Sequence, residues 1–289
     1  DNHCSYCIIP ALRGRYRSRE LDDVLYEART LAADGVKELI VVAQDISRYG
    51  LDLPGHTHLL PQLLRELCKI DGIHWVRLHY LYPDETTDEM IDVIASEPKI
   101  VKYLDIPIQH VNDEILKKMN RRGDKAFITA LFEKLRARIP GLVLRTSLIA
   151  GLPGEGEAEF EELCTWLRQM KLERVGAFAF SPEEGTVAAM MEYPPTEVAQ
   201  ARAEKIAEIQ SRIMDEYYEG LMGKTLEVLC EGYDEEEEAY FGRTYADSPD
   251  IDGKVWFAAE RTIHPGEFVM VTMTDVYDGE LIGEVEEEA

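Results

Sequence analysis

The sequence predicts an α/β chain in two parts: an open, partial six-stranded β/α barrel over residues 1–222, ending in a long helix, and a small antiparallel β-barrel over residues 223–289. Three observations predict it. From Leu21 to Met222 short apolar runs alternate with amphipathic stretches of about 10–15 residues, the pattern of right-handed β-α-β units on a parallel sheet. After Met222 the pattern changes to five short β-like runs separated by Gly, Pro and Asp. The charge divides at the same place. From Lys224 onward there are 4 Lys and Arg against 19 Asp and Glu, so −15 of the net −25 lies in the last 66 residues.

The elements follow in order. The opening segment DNHCSYCIIPALRG reads as a loop, Pro10 and Gly14 included. LDDVLYEARTLAADG has helical apolar spacing and stops at Gly35. KELIVVAQDISRYG reads as a buried strand ending near Gln44 and Asp45. HLLPQLLRELCKIDG is helical, and HWVRLHYLYP is a strand stopped by Pro83. TTDEMIDVIASEP carries a Thr cap, acidic residues in its first turn and a proline stop, so it is a helix. VKYLDIPIQH is a strand, and NDEILKKMNRRG a helix capped by Asn112. DKAFITALFEKLRARIPG is a helix, LVLRTSLIAGLPG a strand, EAEFEELCTWLRQMK a helix and RVGAFAFSP a strand. A long helix runs from about Thr196 to Met222. That makes five β/α strands, and a sixth is expected ahead of the cysteine segment. In the second part KTLEVLCEGY, AYFGRTY, KVWFAAE, EFVMVTMTDVY and ELIGEVEE are the β-like runs, with Asp234–Glu238 a solvated loop between two of them.

Composition narrows the class. Five cysteines in 289 residues are too sparse and odd in number for a secreted disulfide framework, which places the chain in a reducing cytoplasm. No apolar run is long enough to span a membrane, and no basic segment followed by an apolar stretch opens the chain. The chain opens on Asp1 rather than Met, so its start is expected to be cut or processed. The acidic balance disfavours a nucleic acid as main partner and favours a basic one.

Cys4-Ser5-Tyr6-Cys7 admits four readings: half of a zinc site, a redox pair, part of an iron–sulfur cluster, or a structural pair without chemistry. Zinc lacks further paired ligands. Cys68 and Cys164 lie in amphipathic helix patterns and Cys230 in a β-like run, where cysteine acts as a small hydrophobe. A redox pair wants the start of a helix in a thioredoxin-sized unit. A cluster suits a loop at the C-terminal ends of barrel strands, where such folds gather their sites.

CSYCIIPALRG resembles the cluster loop of radical S-adenosylmethionine (SAM) enzymes of the methylthiotransferase group, whose pattern is C-x3-C-x2-C with an aromatic residue before the last cysteine. VVAQDISRYG, HYLYPDETTDEMID, YLDIPIQHVNDEILKKMNRRG, SLIAGLPGEGEAEFEEL and FAFSPEEGTVAA resemble counterpart segments in the family's order, and the C-terminal part resembles a TRAM domain. The resemblance implies that Cys4 and Cys7 are two of three cluster ligands. The first cysteine of the pattern would fall one position before Asp1. It also implies an N-terminal domain with a second [4Fe–4S] cluster, outside this chain, without which this segment is expected to show no turnover.

Within the family, one branch modifies an adenosine of transfer RNA and another the β-carbon of an aspartate in the twelfth protein of the small ribosomal subunit. LHYLYPDE, YLDIPIQHVNDEILKKMNRRG and YADSPDIDG resemble the second branch. An acidic C-terminal module suits a basic ribosomal protein, although acidity serves solubility as well. The resemblance implies a [4Fe–4S] cluster, SAM and an external electron donor. One electron splits SAM to a 5′-deoxyadenosyl radical, which takes a hydrogen from the aspartate. The second cluster delivers the methylated sulfur, and a second SAM supplies the methyl group. Tyr6, Gln44, Gln109, Arg145, Ile149 and Gly151 are the expected cofactor-binding residues, and Asp45, His110, Arg121 and Arg122 the expected substrate contacts. Six of them have a plainer reading as well. Asp45 serves equally as a turn cap and His110 as a structural histidine. Arg145 serves as a salt-bridge partner, Gly151 as a tight turn, and Arg121 with Arg122 as an exposed basic helix end.

Overall fold

The structure, a computed structural model, describes residues 2–286. A five-residue helix α1 (Ile9–Arg13) follows the cysteine pair, and α2 (Leu21–Ala33) precedes the sheet. Five parallel strands then stand side by side in chain order: β1 (Glu38–Val42), β2 (Trp75–His79), β3 (Ile100–Asp105), β4 (Val143–Ala150) and β5 (Arg174–Ala179). Helices α3 (Leu60–Cys68), α4 (Asp88–Ser96), α5 (Asp113–Lys118), α6 (Lys125–Arg138) and α7 (Glu157–Met170) connect them, and α8 (Thr196–Glu219) packs back on β4 and β5. Parallel neighbours require such crossovers, because a tight turn cannot reverse the chain twice.

Local chemistry starts these helices where the sequence predicts. Thr87 accepts a hydrogen bond from the Met90 amide at 3.2 Å. Asn112 accepts from the Glu114 and Ile115 amides, both at 3.1 Å. Asp124 accepts from the Phe127 amide at 2.8 Å. These side chains satisfy first-turn N–H groups that have no intrahelical partner.

Strand residues alternate between two faces. Leu39, Val76, Leu78, Leu104, Leu144 and Leu148 bury against the helices in the main core. Trp75, Val101, Tyr103 and Val143 point the other way, into a second cluster shared with Leu229 and Ala246 of the C-terminal part. The same face carries charge. Fully buried Arg77 donates through Nε to Glu38 Oε1 at 2.7 Å, and Arg243 donates through Nη2 to Glu38 Oε2 at 2.7 Å. A carboxylate shared by two guanidiniums offsets the cost of burying each charge.

The C-terminal part is a closed five-stranded barrel of β6 (Thr225–Asp234), β7 (Ala239–Arg243), β8 (Val255–Ala258), β9 (Phe268–Tyr277) and β10 (Glu280–Val285), in the order β10-β8-β7-β6-β9. Val228, Val255, Phe257, Val271 and Met273 fill it. Glu235–Glu238 form the exposed turn between β6 and β7.

Three details differ from expectation. Ile9–Arg13 is helical rather than loop, because Pro10 sits in the first turn, where its missing N–H is no loss. β1 stops at Val42, so Gln44 and Asp45 lie in the loop beyond it. The small barrel is not wholly antiparallel: β10 closes against β8 in parallel, with Leu281 opposite Val255. Strand direction is invisible to apolar periodicity. Among the described residues no helix is long and apolar enough to cross a membrane.

Candidate cofactor site at the strand ends

A cavity of about 940 Å³ opens beyond the C-terminal ends of the parallel strands. Cys4, Tyr6 and Cys7 line one part of it; Gln44 and Asp45 after β1, Tyr82 after β2 and Gln109 after β3 line another; Arg145, Phe178 and Ile251 also reach it. Open parallel sheets place ligands there, outside the carboxyl ends of their strands.

The cysteine loop is held in a defined shape. The Cys7 amide donates to the Cys4 carbonyl at 3.0 Å, which turns the pair back on itself. The Ser5 amide donates to the Met119 carbonyl at 2.9 Å, and its carbonyl accepts from the Ala188 amide at 2.8 Å. Both thiols are free and half-buried. Cys4 Sγ lies 3.6 Å from Tyr82 Oη and 3.7 Å from Arg121 Nη1. Arg121 stacks over the Tyr82 ring at 4.4 Å, comes within 3.5 Å of Tyr6 Oη and donates to the Pro107 carbonyl. Burial pushes the hydroxyls of Tyr6 and Tyr82 up, which keeps both protonated beside the sulfur.

The structure brings most of the expected site residues to this cavity. Gln44 is exposed within it. Gln109 pairs with β4 through the Ser147 carbonyl and the Ile149 amide, at 2.9 Å each. Asp45 lines the wall but acts as a turn cap: Oδ1 accepts from the Ser47 amide at 3.1 Å and from its hydroxyl, and Oδ2 accepts from Asn2 at 2.9 Å. Arg145 reaches the cavity already paired with Asp105 at 2.5 Å. Arg121 is not an exposed helix end, because the chain after α5 folds it under the cysteine loop.

Four expected residues lie elsewhere. His110 is fully buried; its Nδ1 accepts from the Asn112 amide at 3.0 Å, and Nε2 faces Glu155 Oε2 at 3.2 Å. That is a structural histidine, with Glu155 also paired to Arg202 at 2.8 Å. Ile149 packs beside Tyr6 in a small core outside the cavity wall. Gly151, at φ +80°, has its Cα facing α8: a Cβ there would lie 2.4 Å from Ala199 Cβ, so the glycine admits the helix. Arg122 points outward, to Asp84 at 2.9 Å and Glu85 at 3.3 Å.

The sequence reading missed the cavity's charge. Six arginines line it (Arg13, Arg15, Arg17, Arg48, Arg121 and Arg145), against one carboxylate, Asp45. Arg13, Arg15 and Arg17 are exposed, with no ion pair among the described residues. A chain of net charge −25 thus keeps a cationic chamber, which favours anionic groups inside it. The alternation R-x-R-x-R in RGRYRSR was the available signal, since extended chain places every second side chain on one side.

Among the described residues no three His, Cys, Asp or Glu side chains converge on one metal position. Two soft thiolate donors without a carboxylate or imidazole beside them suit an iron–sulfur cluster better than zinc. Cys68 and Cys164 are pushed up to about 11 by burial, and Cys230 is also raised, so these three stay protonated and take no part. A thiol reagent at pH 8 is therefore expected to titrate two thiols in the native metal-free protein, Cys4 and Cys7, and five after denaturation; a third native thiol at comparable rate contradicts the assignment. Because burial raises the folded pKa of Cys68 and Cys164 above the unfolded value, their contribution to stability is complete below about pH 9 and is lost as pH rises through about 11.

A free thiol pair in a cationic chamber at the ends of parallel strands suits a β/α fold that binds a cofactor there, and the comparisons identify the family. The chain belongs to the radical SAM superfamily, which it matches over residues 1–167; a TRAM domain matches over residues 222–285. More particularly, it is 50% identical over 287 residues to the ribosomal protein uS12 methylthiotransferase RimO of Anaeromyxobacter sp. (strain Fw109-5), covering 99% of this chain and 61% of that protein. It is 47% identical over 285 residues to the protein of that name from Thermoanaerobacter sp. (strain X514), covering 98% and 64%. The chain thus spans less than two thirds of the length of these relatives. The fold is shared with the radical SAM methyltransferase TsrM from Kitasatospora setae (TM-score 0.54, 20% identity, 65% of this chain and 36% of that one). It is also shared with methylornithine synthase (TM-score 0.51, 12% identity, 74% and 59%). Superfamily membership implies a [4Fe–4S] cluster and SAM as cofactors.

Proposed function

We propose that the full-length protein is a radical SAM methylthiotransferase that places a methylthio group on the β-carbon of an aspartate in ribosomal protein uS12. The observation that carries this reading is the 50% identity to a uS12 methylthiotransferase across nearly every residue of the chain. Residues 1–222 would hold the reaction chamber and 223–289 a substrate-facing module. The acidic C-terminal part supports a basic polypeptide substrate over transfer RNA, whose phosphates need a cationic surface. A second cluster in an upstream domain, an external electron donor and a cytoplasmic location complete the reading.

Cys4 and Cys7 would hold the cluster together with a cysteine just before Asp1. When bound, the cluster and SAM supply one-electron hydrogen abstraction, chemistry no side chain performs. The residues of this chain do the rest. Arg121 donates to Cys4 Sγ, Tyr82 Oη shares a hydrogen bond with it, and the two contacts fix its orientation. Arg13, Arg15 and Arg17 present unpaired cations to the two carboxylates that must enter, those of SAM and of the target aspartate. Phe178 and Val42 present apolar surface to the chamber and exclude water from it.

The test is mass spectrometry of a uS12 peptide carrying the aspartate, incubated anaerobically with full-length protein, SAM and a reductant. Replacement of one aspartate hydrogen by a methylthio group supports the reading. Modification of a transfer RNA adenosine instead, with an untouched peptide, overturns it.

A further inference from the structure

The segment Thr244–Gly253, TYADSPDIDG, belongs to the C-terminal barrel in sequence yet is built into the parallel sheet. It connects β7 to β8, and several of its polar groups are tied to strand residues. Arg77 donates to the Tyr245 carbonyl at 2.9 Å. Arg174 donates to Asp247 Oδ1 at 2.6 Å. Ser248 Oγ meets His79 Nε2 at 3.0 Å. Tyr103 donates to Asp252 Oδ2 at 2.6 Å, and Asp252 Oδ1 lies 3.9 Å from Arg145 Nε. Four of the five parallel strands are thus engaged through Arg77 and His79, Tyr103, Arg145 and Arg174. Thr244, Ala246, Asp247 and Ser248 are all buried.

Asp250 and Ile251, at the tip of the segment, are both exposed. Ile251 is 48% exposed and lines the same cavity as Cys4 and Cys7. Two other apolar side chains lining that cavity, Val42 and Phe178, are 64% and 54% exposed. Asp252 beside it is held by Tyr103 and by the Ser248 amide, while the side chain of Ile251 itself has no core to fill. A rigid support carrying an exposed apolar tip into a reaction cavity is how a preorganised contact with a ligand is made.

We propose that Ile251 is a substrate-contacting, selectivity-setting residue. Like Val42 and Phe178 elsewhere on the cavity wall, it offers an apolar contact, here supplied by the C-terminal part of the chain, to an aliphatic side chain of the polypeptide segment that carries the target aspartate. This rests on the protein-substrate reading above. Ile251 itself is a branched aliphatic, which offers no flat face to stack a nucleobase. The acidic C-terminal barrel that delivers Ile251 complements a basic polypeptide. The YADSPDIDG stretch, which sets this sequence toward the ribosomal-protein branch, is on this account the element that enters the chamber and selects.

The experiment uses full-length protein with a cluster installed, and variants Ile251→Ala and Ile251→Asp. Two quantities are read: binding of a fluorescent uS12 peptide by anisotropy, and KM for that peptide against the Kd for SAM. Ile251→Ala is expected to weaken peptide binding and raise KM by roughly 5–10-fold, in line with loss of an aliphatic contact, and Ile251→Asp by more, with the SAM Kd within about twofold of wild type. Peptide affinity unchanged in both variants overturns the proposal. So does an equal loss of SAM affinity, which would make Ile251 a cofactor contact, and so does a wild-type protein that ignores the peptide and binds an RNA stem-loop. A wild-type enzyme that binds the peptide without modifying it counts against the proposed reaction, while the anisotropy comparison still decides the role of Ile251.

Discussion

Replacing Cys4 or Cys7 by alanine in the full-length protein is expected to abolish the cluster of the chamber and all SAM cleavage. Both thiols line the cavity, and the remaining cysteines cannot substitute. Cys68 and Cys164 sit in the main core with thiols held protonated by burial, and Cys230 sits inside the small barrel. Backbone geometry makes the loss specific. The Cys4–Cys7 turn and the Ser5 bonds to Met119 and Ala188 set the sulfur positions without a metal. The variants should therefore retain the wild-type circular dichroism spectrum while losing iron, acid-labile sulfide and the broad visible absorbance after anaerobic reconstitution. Because an upstream cluster is proposed as well, the quantity to compare is the difference in iron between variant and parent. A variant with undiminished iron and normal SAM cleavage would remove these cysteines from the site.

Asp247→Ala is expected to destabilise the protein by about 3–5 kcal/mol, among the largest effects available to a single polar substitution here. Arg174 and Asp247 are 5% and 3% exposed as side chains, and their atoms approach to 2.6 Å. Removing the carboxylate leaves the guanidinium no carboxylate partner but Asp252 Oδ1, 3.8 Å from Nε and beyond hydrogen-bond reach, and it also strips the Thr244 amide and hydroxyl of their acceptor. The pKa of Arg174 is held above its ordinary value. Burial opposes this, and the charge of Asp247 is the largest influence outweighing it. Arginine does not deprotonate in proteins, so the guanidinium left by the variant cannot escape by losing its charge. Chemical denaturation of parent and variant measures the loss. The double variant Arg174→Met with Asp247→Leu is expected to recover much of it, because a well-packed apolar pair of similar volume avoids both desolvation costs. Equal stability of the single variant and the parent would mean that the two parts of the chain meet only loosely.

Much of the fold was readable along the chain because it rests on local periodicity. Each β/α strand alternates or runs apolar, and each helix has its stripe and, at Thr87, Asn112 and Asp124, its cap. Those signals act over a few residues. The site was readable in part for the same reason. A CxxC followed by a proline and an arginine-glycine turn is a short pattern, and residues just after strands necessarily lie at one end of a parallel sheet. The reading faltered where a side chain's role depends on a neighbour distant in sequence. His110 follows a strand, yet Glu155, 45 positions on, draws it into the core. Gly151 makes room for Ala199 of a helix 48 residues later.

The sequence by itself determined the order and type of the elements, the thiol pair in its opening loop, the change of architecture after Met222 and the acidity of the C-terminal part. Only the tertiary structure decided that the cavity is cationic within an acidic protein, that α1 follows the cysteines as a helix, that β8 and β10 pair in parallel and that TYADSPDIDG lies in the β/α sheet's inner face. The physical reason is one of range. Propensity, capping and periodicity are properties of neighbours along the chain, whereas a buried ion pair such as Arg174–Asp247, 73 residues apart, exists only once the sheet has closed around it.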